Sequence, residues 1–510
     1  MSRLEIASPK RAKIVMEGLY KDLERRIESS PPGLCPVDMA RAFLELCHAQ
    51  TCGKCVPCRI GLGQLNNFIR EVLDGKATMK TLDIMEQTAL SIMESADCAI
   101  GYEAANMVYK GLIGYRDDYI EHIQNGRCTC TYNQPVPCVS LCPAHVDIPG
   151  YIALVGEGRY ADAIRLLRKD NPFPTTCGFI CEHPCEARCR RNMVDDSINI
   201  RGLKRVAADF AGEVDPPQCA PSTGKKIAIL GGGPGGLSAA YYLQLMGHQT
   251  TVYEMLPELG GMLRYGIPNY RLPKERLDDD IRAILKTGVQ VKNGLKIGQD
   301  ITIQELRQQY DVVLITIGAS TDKKLGLENE DADGIISAVQ FLRNVGKNQI
   351  IDLTGKEVAV IGGGNVSMDA VRTAKRLGAK KVSIVYRRRV ADMTALPGEI
   401  EGAVAEGIEL QTLKAPASID VDENHHVKGI YVTPQMVSSI RDGRASIKPT
   451  GEEDIYIPCD VLIVAIGQNI ETHHFEQAGI PVERGKIITK STGAFENLPG
   501  VFAGGDCASG

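Results

Sequence analysis

The sequence lacks tryptophan, an excess of positive charge and any long hydrophobic run. Its formal net charge is −5, so no basic field would attract nucleic acid or an acidic membrane surface. The longest apolar runs, such as Val312–Ile317, suit a buried strand and are too short to span a bilayer. Residues 1–15 contain no long apolar segment, so we expect no signal peptide. These absences predict a cytoplasmic protein that neither binds nucleic acid nor crosses a membrane.

Cysteine is scarce beyond residue 189, where only Cys219, Cys459 and Cys507 of the 17 cysteines lie. A secreted scaffold held by disulfides would be shorter and would spread its cysteines along the whole chain. The distribution therefore excludes that class. Clustered cysteines in a cytoplasmic protein favour metal binding over disulfide formation.

The chain divides into zones of different composition. Residues 1–118 have a helical pattern, and residues 119–215 are rich in cysteine and partly helical. From residue 222 onward, strands and helices alternate with glycine-rich turns, which predicts α/β architecture with parallel sheets. Two similar units, at 226–254 and 357–389, indicate two related nucleotide-binding domains.

Four cysteines in the first zone have the spacing of a cluster site. Cys52, Cys55 and Cys58 form C-x2-C-x2-C, and Cys98 follows in DCAIG. Three close thiolates with a distant fourth are typical of a [4Fe–4S] cluster. Zinc is the alternative, since four thiolates also suit it, although zinc sites usually take two pairs of ligands.

These two motifs resemble the C-terminal helical iron–sulfur domain of the NADH-binding flavoprotein subunit of respiratory complex I. The resemblance covers roughly residues 30–115 and does not bring that subunit's flavin domain. It implies that all four cysteines are cluster ligands and that the domain conducts electrons.

The second zone carries eight more thiols, enough for two further [4Fe–4S] clusters. With the segments PAHVDIP (143–149) and DNPFPTTCGFIC, it resembles the N-terminal domain of the glutamate synthase small subunit. That domain is shared with dihydropyrimidine dehydrogenase and with the NADPH-binding subunit of bifurcating transhydrogenases. The implied ligands are Cys128, Cys130, Cys138 and Cys189 for one cluster, and Cys142, Cys181 and Cys185 for the other.

The chain departs from that family at two places. The first pair of cysteines is C-x-C where the family usually has C-x2-C. The fourth ligand of the second cluster is typically a Gln or Glu on the next helix, but Lys204 stands at that position, and a protonated lysine cannot readily ligate iron. Cys177 is left as a structural thiol or as a replacement ligand.

The first glycine-rich unit has the pattern of a dinucleotide-binding βαβ fold. A strand ends at Leu230, G-G-G-P-G-G follows, and the second strand ends at Glu254. Gly231 permits the tight turn, Gly233 lets a pyrophosphate approach the backbone, and Gly236 packs the helix on the strand. Glu254 can accept hydrogen bonds from ribose hydroxyls.

Two further segments resemble the FAD-contacting parts of the glutamate synthase small subunit, namely GGMLRYGIP (260–268) and GVFAGGD (500–506). The chain stops at Gly510, where the helix of the second motif should begin, so we expect a truncated FAD domain. The implied FAD contacts are Gly231, Gly233, Pro234, Gly236, Glu254, Gly261, Met262, Tyr265, Gly266, Ile267, Gly505 and Asp506.

The second glycine-rich unit ends its second strand in three arginines rather than an acid. A carboxylate would repel a 2′-phosphate, whereas a guanidinium binds one with two hydrogen bonds. The unit is therefore predicted to prefer NADP(H) over NAD(H). The predicted contacts are Gly362, Gly364, Asn365, Val366, Arg387 and Arg388.

The predicted fold is multidomain, with two N-terminal helical iron–sulfur domains followed by an α/β flavoprotein with two dinucleotide-binding domains. The predicted bounds are 1–118 and 119–215 for the iron–sulfur domains, 222–324 and 483–510 for the FAD domain, and 325–482 for an inserted NADPH domain.

These motifs predict an oxidoreductase subunit that exchanges hydride between NADP(H) and FAD, without a catalytic side chain. Single electrons would pass through up to three [4Fe–4S] clusters to or from partner subunits, ferredoxin or an NAD-linked flavoprotein. A finer hypothesis is flavin-based bifurcation, as in transhydrogenases. The alternatives are the small subunit of an NADPH-dependent glutamate synthase and a non-catalytic iron–sulfur scaffold.

Overall fold

A computed structural model describes residues 14–21, 35–126, 136–349, 351–441 and 444–509. Cys128 and Cys130, two of the predicted ligands, lie outside the described residues. The chain forms two compact units. Unit 1 is Met1–Ala153 with His183–Leu203, and unit 2 is Leu154–Glu182 with Lys204–Gly510.

The regular secondary structure in the described residues of unit 1 is all helical. Its helices are α1 (residues 14–21), α2 (Pro36–Ala49), α3 (Leu62–Leu73), α4 (Met79–Ser95), α5 (Ala99–Gly114), α6 (Arg116–Asn125), α7 (Pro137–Leu141), the first part of α8 (Ile148–Gly156) and α11 (Pro184–Ala187). A π-helical turn, Pro57–Gly61, leads into α3, and a 3-10 turn spans Arg190–Met193.

The helices of unit 1 pack through apolar stripes. In α3 the buried residues Leu62, Leu65, Ile69 and Val72 recur every three or four positions, so one face enters the core. The helix α4 begins with a capping box in which Thr78 and Thr81 exchange side-chain and backbone hydrogen bonds. No described helix combines the length and the apolar character that a bilayer crossing would require.

Unit 2 contains two parallel five-stranded sheets, each built around one glycine-rich unit. The strands of the first are β1 (Lys226–Leu230), β2 (Gln249–Glu254), β3 (Gln290–Asn293), β4 (Val312–Ile315) and β18 (Val501–Ala503); those of the second are β6 (Ile335–Ser337), β7 (Glu357–Ile361), β8 (Lys381–Tyr386), β9 (Glu409–Thr412) and β14 (Val461–Val464). The order across the first sheet is β18-β4-β1-β2-β3, and across the second it is β6-β14-β7-β8-β9.

Smaller sheets complete unit 2. An antiparallel sheet joins β10 (Lys414–Val421), β11 (Val427–Arg441), β12 (Arg444–Pro449) and β13 (Ile455–Pro458). Two-stranded pairs are β5 (Thr321–Asp322) with β15 (Gln468–Asn469), and β16 (Val482–Glu483) with β17 (Lys486–Ile487). The strand β5 follows β4 of the first sheet, and β15 follows β14 of the second. The pair of β5 and β15 therefore joins the two places where the chain leaves these sheets.

Helices cover these sheets and link them. They are the rest of α8, α9 (Tyr160–Asp170), α10 (Pro174–Ile180), α12 (Ile200–Phe210, which starts in unit 1), α13 (Pro234–Leu245), α14 (Met262–Tyr265), α15 (Lys274–Leu285), α16 (Ile303–Gln309), α17 (Ala338–Gly346), α18 (Asn365–Arg376), α19 (Pro397–Ala405), α20 (His473–Gln477) and α21 (Asp506–Ser509). A 3-10 turn spans Val390–Asp392. Each glycine-rich loop is followed by a helix on a sheet of buried strands, so the predicted helical and α/β parts are confirmed.

One buried carboxylate caps a helix from a distance. Asp280 on α15 is fully buried and accepts hydrogen bonds from the backbone N–H groups of Thr175 (3.2 Å) and Thr176 (2.7 Å). These groups belong to the first turn of α10, where no side chain of the helix itself acts as a cap. Burial raises the pKa of Asp280 to about 6, and the two N–H donors only partly oppose it.

We predict that Asp280 makes unit 2 less stable as the pH rises from 5 to 7. A raised carboxyl pKa means that the folded state keeps a proton that the unfolded state has lost, so its contribution to stability disappears as the pH passes the folded pKa. The expected loss is about 1 kcal/mol over this window. Thermal midpoints of the wild type and of Asp280→Asn are measured from pH 5 to 7. The two should lie closest at pH 5, and the wild-type midpoint should fall relative to that of the variant as the pH rises to 7.

The control is Asp279→Asn, on the same helix, whose carboxylate pairs with Arg276 and Arg282 at the surface. It should leave the wild-type pH dependence in place. A constant difference between the wild type and Asp280→Asn across the window would contradict the prediction.

Candidate functional site

The first glycine-rich loop needs glycine because backbone atoms crowd it. A Cβ at Gly236 would lie 1.9 Å from the carbonyl oxygen of Gly231, and one at Gly231 would lie 2.4 Å from that of Thr316. Gly231 also has φ +113°, a value that side chains disfavour. The loop thus passes tightly from β1 into α13, whose first N–H groups remain available for a phosphate.

The segment 260–268 lies directly against this loop. The N–H of Gly260 donates to the carbonyl of Gly232 (2.8 Å), and a Cβ at Gly261 would lie 2.7 Å from the Cα of Gly233. A Cβ at Gly235 would reach only the Cα of Gly505, at 3.9 Å. Three segments distant in sequence therefore meet at the end of β1.

Glu254, at the end of β2, stabilises the first glycine-rich loop through its carboxylate. Glu254 is buried, and its two carboxylate oxygens accept hydrogen bonds from the backbone N–H groups of Gly232 (2.7 Å) and Leu256 (2.8 Å). Burial raises the pKa of this carboxyl, while the backbone donors oppose the rise. Glu254 fixes the loop and still lines the cleft, where a ribose would meet it.

A cleft of about 760 Å³ runs between these segments. Of the predicted FAD contacts, those that line it are Gly231, Gly233, Pro234, Glu254, Gly261, Met262, Tyr265, Gly505 and Asp506. Gly236, Gly266 and Ile267 are not among its lining residues.

The cleft also has lining residues that sequence reasoning missed. Thr316 and Ser320 follow β4, and Arg343 reaches the cleft from α17, the first helix after β6. The guanidinium of Arg343 donates to the carbonyl of Ser320 (2.6 Å), and its Nε is buried with no partner among the described residues. The stretch DVVLITIG could have indicated Thr316, but no motif marks Arg343.

The second glycine-rich loop repeats the crowding with different neighbours. A Cβ at Gly362 would lie 2.3 Å from the carbonyl of Ala465, and one at Gly363 would lie 2.6 Å from the ring of Tyr386. Gly364, by contrast, faces open space and would meet only the hydroxyl of Thr394, at 3.4 Å. The loop is tight against β14 and β8 and open toward its cleft.

Asn365 begins α18 and is held on two sides. Its side-chain oxygen accepts the N–H of Leu396 (2.9 Å), and its amide nitrogen donates to the carboxylate of Glu182 (3.3 Å). Glu182 follows Cys181, so the loop that carries a predicted iron ligand contacts the start of α18 within unit 2.

The predicted NADP contacts share one cleft of about 1740 Å³, which is lined by Gly362, Gly364, Asn365, Val366, Arg387 and Arg388. Arg387 is exposed at its edge, and Arg388 is anchored by a hydrogen bond from its Nε to the carbonyl of Ala445 (3.0 Å). Arg389 is occupied elsewhere, because its guanidinium pairs with the carboxylate of Asp392 at 2.8 and 2.9 Å. That pairing lowers the pKa of Asp392 to about 2.

The four cysteines predicted for the first cluster lie together in unit 1. The thiol of Cys58 interacts electrostatically with Cys52, Cys55 and Cys98, and burial together with these sulfurs raises its pKa to about 12. A Cβ at Gly101 would lie 2.6 Å from the sulfur of Cys58, so glycine leaves the space beside the sulfurs open.

Backbone donors distinguish Cys55 from the structural thiols. Burial alone would raise the pKa of Cys55, but hydrogen bonds from backbone N–H groups of Cys58 and Asp97 outweigh it and lower the pKa. A lowered pKa favours the thiolate, which is the form that binds metal. In contrast, burial and the nearby Glu103 raise the pKa of Cys47 to about 12. Cys58 has the three other thiols of the set as electrostatic neighbours, whereas the neighbour of Cys47 is Glu103, so Cys47 lies outside the four-cysteine set.

The second constellation falls in both units. In unit 1, Cys138 on α7 interacts electrostatically with Cys189 and Cys142. Cys185 is buried on α11 of the same unit. Cys181 belongs to unit 2.

Cys177 and Lys204 lie in unit 2 as well. Burial raises the pKa of the Cys177 thiol, and the nearby ammonium of Lys204 opposes this. Lys204 is itself buried, with 7% of its surface exposed. Among the described residues no group of three or more His, Cys, Asp or Glu side chains has the geometry of a metal site, so the ligand assignments stay predictions.

Residues 225–510, more than half of the chain, match the pyridine nucleotide-disulphide oxidoreductase family. The chain belongs to that family. Residues 38–122 of this oxidoreductase match the iron–sulfur binding region of NADH-ubiquinone oxidoreductase F, and residues 114–215 match the 4Fe–4S domain II of dihydropyrimidine dehydrogenase.

Three relatives show how far the similarity extends. The oxidoreductase is 32% identical to the NADP(+)-dependent formate dehydrogenase subunit beta of Moorella thermoacetica, over 92% of this chain and 76% of the relative. It is 34% identical to the NADPH-Fe(3+) oxidoreductase subunit beta of Geobacter sulfurreducens, over 94% and 76%. It is also 34% identical to the glutamate synthase [NADPH] small chain of Escherichia coli, over 73% and 84%.

These matches confirm the resemblances to the complex I iron–sulfur domain and to the glutamate synthase small subunit, and they confirm the multidomain fold class. The chain is an NADPH-dependent oxidoreductase, and its cofactors are FAD, NADP(H) and [4Fe–4S] clusters. The two glycine-lined clefts fit the two dinucleotides, and the four neighbouring thiols of unit 1 are the residue type that binds iron–sulfur clusters.

We predict that Gly236→Ala abolishes FAD binding, because its Cβ would overlap the carbonyl of Gly231 and force α13 away from the loop. Flavin absorbance of the purified protein measures the loss. The control is Gly398→Ala, where a Cβ meets nothing within 4 Å and helix propensity should improve. Full flavin content in Gly236→Ala would refute this account of the loop.

We predict that replacing Arg387 and Arg388 together by Ala lowers the preference of this oxidoreductase for NADPH over NADH by about 10- to 100-fold. Hydrogen bonds to a charged group contribute about 1.5–3 kcal/mol, and NADH has no 2′-phosphate to lose them. The ratio of kcat/KM for the two nucleotides is the measurement. Arg389→Ala is the control, because Asp392 already occupies that guanidinium, and an equal loss of preference there would count against the assignment.

Proposed function

We propose that this oxidoreductase is the NADP(H)-binding subunit of a multi-subunit electron-transfer complex. It exchanges hydride between NADP(H) and FAD in unit 2 and passes single electrons through its [4Fe–4S] clusters to or from a partner. The observation that carries the proposal is the four-cysteine domain of unit 1 in the same chain as two dinucleotide clefts. An enzyme that only moved hydride between nucleotide and flavin would not need that domain.

The extent of similarity supports a subunit role. Two relatives named as beta subunits match over more than nine-tenths of this chain, whereas the glutamate synthase small chain matches over 73%. The iron–sulfur region at 38–122 is thus a feature that favours the first two as functional parallels over glutamate synthase. The described cysteines form no disulfide with one another, which supports a reducing, cytoplasmic setting.

The division of labour follows from the chemistry of each site. When bound, FAD accepts two electrons as hydride and can release them one at a time, while each [4Fe–4S] cluster carries one. The chain's own residues bind the two dinucleotides and orient them. Gly362–Gly364 and α18 hold the pyrophosphate of NADP(H), Arg387 and Arg388 bind its 2′-phosphate, and the loop from Gly231 to Gly236 with Glu254 holds FAD.

The clusters belong to the same proposal. Cys52, Cys55, Cys58 and Cys98 bind the first cluster; Cys128, Cys130, Cys138 and Cys189 bind the second; Cys142, Cys181 and Cys185 bind the third. The partner is an iron–sulfur protein such as ferredoxin, or an NAD-linked flavoprotein subunit. Flavin-based bifurcation stays a prediction, and it would require NADPH oxidation to depend on both acceptors at once.

We predict that Cys52→Ala separates the two halves of the pathway. The variant should lose the iron of one cluster, and NADPH-driven reduction of ferredoxin should fall to the background rate. Reduction of the bound flavin by NADPH should keep its wild-type rate, because both dinucleotide clefts lie in unit 2. Iron analysis, stopped-flow flavin absorbance and ferredoxin absorbance measure the three quantities.

Cys47→Ala is the matched control, since it removes a fully buried thiol from the same domain without touching the four-cysteine set. It should keep both iron and ferredoxin reduction. Ferredoxin reduction that survives the loss of iron in Cys52→Ala would remove the first cluster from the pathway. A wild-type chain whose flavin is not reduced by NADPH would overturn the proposal as a whole.

A further inference from the structure

A buried ion pair joins the two dinucleotide-binding parts of unit 2. The Nη1 atom of Arg271 lies 2.9 and 2.8 Å from the two carboxylate oxygens of Asp369. Only 12% of the Arg271 side chain and 6% of the Asp369 side chain are exposed. Taking two charges out of water is costly, so such a pair persists only where its geometry is good and the remaining hydrogen-bonding groups are satisfied.

The surroundings satisfy the pair. The second guanidinium branch of Arg271 lies 3.2 Å from Glu399 of α19, which also binds Arg372 of α18 at 2.6 Å. Burial raises the pKa of Asp369 to about 6, and Arg271 opposes the rise.

The network continues along α18. Glu406 binds Arg372 (2.9 Å) and Arg376 (2.7 Å), and the guanidinium of Arg376 lies over the ring of Tyr270, 3.9 Å from its centroid. Counted with Arg271, Asp369 and Glu399, three guanidinium groups face three carboxylates, so the network is neutral overall. It is therefore compatible with burial between packed elements.

The position of Arg271 connects the pair to the FAD cleft. Its backbone N–H donates to the carbonyl of Pro268 (3.0 Å), the last residue of the segment 260–268 that lies against the first glycine loop. The ammonium of Lys274 binds the carbonyls of Arg264 and Ile267 (2.8 Å to the latter), so this segment is held at several points. A shift of Arg271 would therefore move the wall of the FAD cleft.

The position of Asp369 connects the pair to the NADP cleft. It lies one turn after Asn365, where α18 begins and where the second glycine loop ends. A second contact lies nearby, because Gly346 at the end of α17 packs so closely that a Cβ there would lie 3.2 Å from the carbonyl of Arg264. The second sheet's helices α17 and α18 thus meet the FAD-side segment at two points.

We infer that Arg271 and Asp369 are positioning residues for hydride exchange between NADP(H) and FAD. The ion pair fixes the start of α18, and with it the NADP(H) loop, at a set distance from the segment that lines the FAD cleft. In the exchange, NADPH gives up one proton and two electrons as hydride and becomes NADP⁺, and FAD takes them up. The inference rests on the proposed function, since it concerns the geometry of that exchange.

Small displacements matter for such a transfer, because two rings must stack at contact distance. A misplacement of about 1 Å can cost about 100-fold in rate. Neither Arg271 nor Asp369 lines either cleft, so their removal should leave both cofactors able to bind.

The test uses the full chain, purified with FAD and mixed anaerobically with NADPH in a stopped-flow instrument. We expect Arg271→Met and Asp369→Asn to slow the loss of oxidised-flavin absorbance by about 10- to 100-fold. FAD content and the Kd for NADP⁺ should stay close to the wild type. The deuterium isotope effect with NADPH labelled at the transferred position should rise, because hydride transfer becomes the slow step.

Three further variants separate positioning from general stability. Arg276→Met removes an arginine of α15 whose ion pairs, with Asp209 and Asp279, involve neither α18 nor α19, and it should keep the wild-type rate. Arg271→Lys keeps the positive charge but has no branched guanidinium to contact Asp369 and Glu399 together, so it should give an intermediate rate. The double variant of Arg271 and Asp369 should be no slower than the slower single variant, since both act through one contact.

A purely structural role would lower the thermal midpoint and the FAD content and leave the flavin-reduction rate of the FAD-loaded fraction unchanged. That result in either single variant would overturn the inference, and Asp369→Asn, which preserves shape, gives the answer if Arg271→Met does not fold. If the wild type itself fails to reduce its flavin with NADPH, the proposed function falls, and this inference falls with it.

Discussion

Close approach of one backbone to another is the constraint on which the cofactor sites of this protein depend. A Cβ added at Gly236 of α13 would lie 1.9 Å from the carbonyl oxygen of Gly231, and one at Gly362 would lie 2.3 Å from that of Ala465. Only a residue without a Cβ lets a strand end, turn and present helix N–H groups to a phosphate in so little space. Gly101 is crowded in the same way, because a Cβ there would lie 2.6 Å from the sulfur of Cys58.

The electrostatic environment divides groups that look alike in the sequence. Cys47 and Cys55 are both buried thiols of unit 1, yet backbone donors lower the pKa of one, while burial beside a carboxylate raises that of the other. Among three consecutive arginines, Arg389 is neutralised by Asp392, and Arg387 and Arg388 remain along the NADP cleft. The expected roles of these side chains therefore follow from the partners that each has in the folded chain.

The fold could be predicted from the sequence where the signal is local. Each unit of strand, glycine loop, helix and strand spans about 30 residues. The cysteine triplet and the arginines after β8 are also confined to short segments. The contacts that position the sites escaped prediction because they join distant segments. Asp280 caps a helix 105 residues away, Arg271 meets Asp369 across 98 residues, and Arg343 enters the FAD cleft from another sheet's helix. The cysteine-rich zone at 119–215 shows no break that would mark its division between two units.

The parallel register of β18 beside β4 has a consequence for how the protein is made. Val501 pairs with Val313, and the whole second sheet lies between them in the chain. During synthesis β4 therefore remains an unpaired edge of the first sheet until β18 has been made. The second sheet can form as soon as its last strand, β14, has left the ribosome. The last strand of the first sheet arrives only afterwards. We therefore expect the second sheet to form before the first sheet is complete.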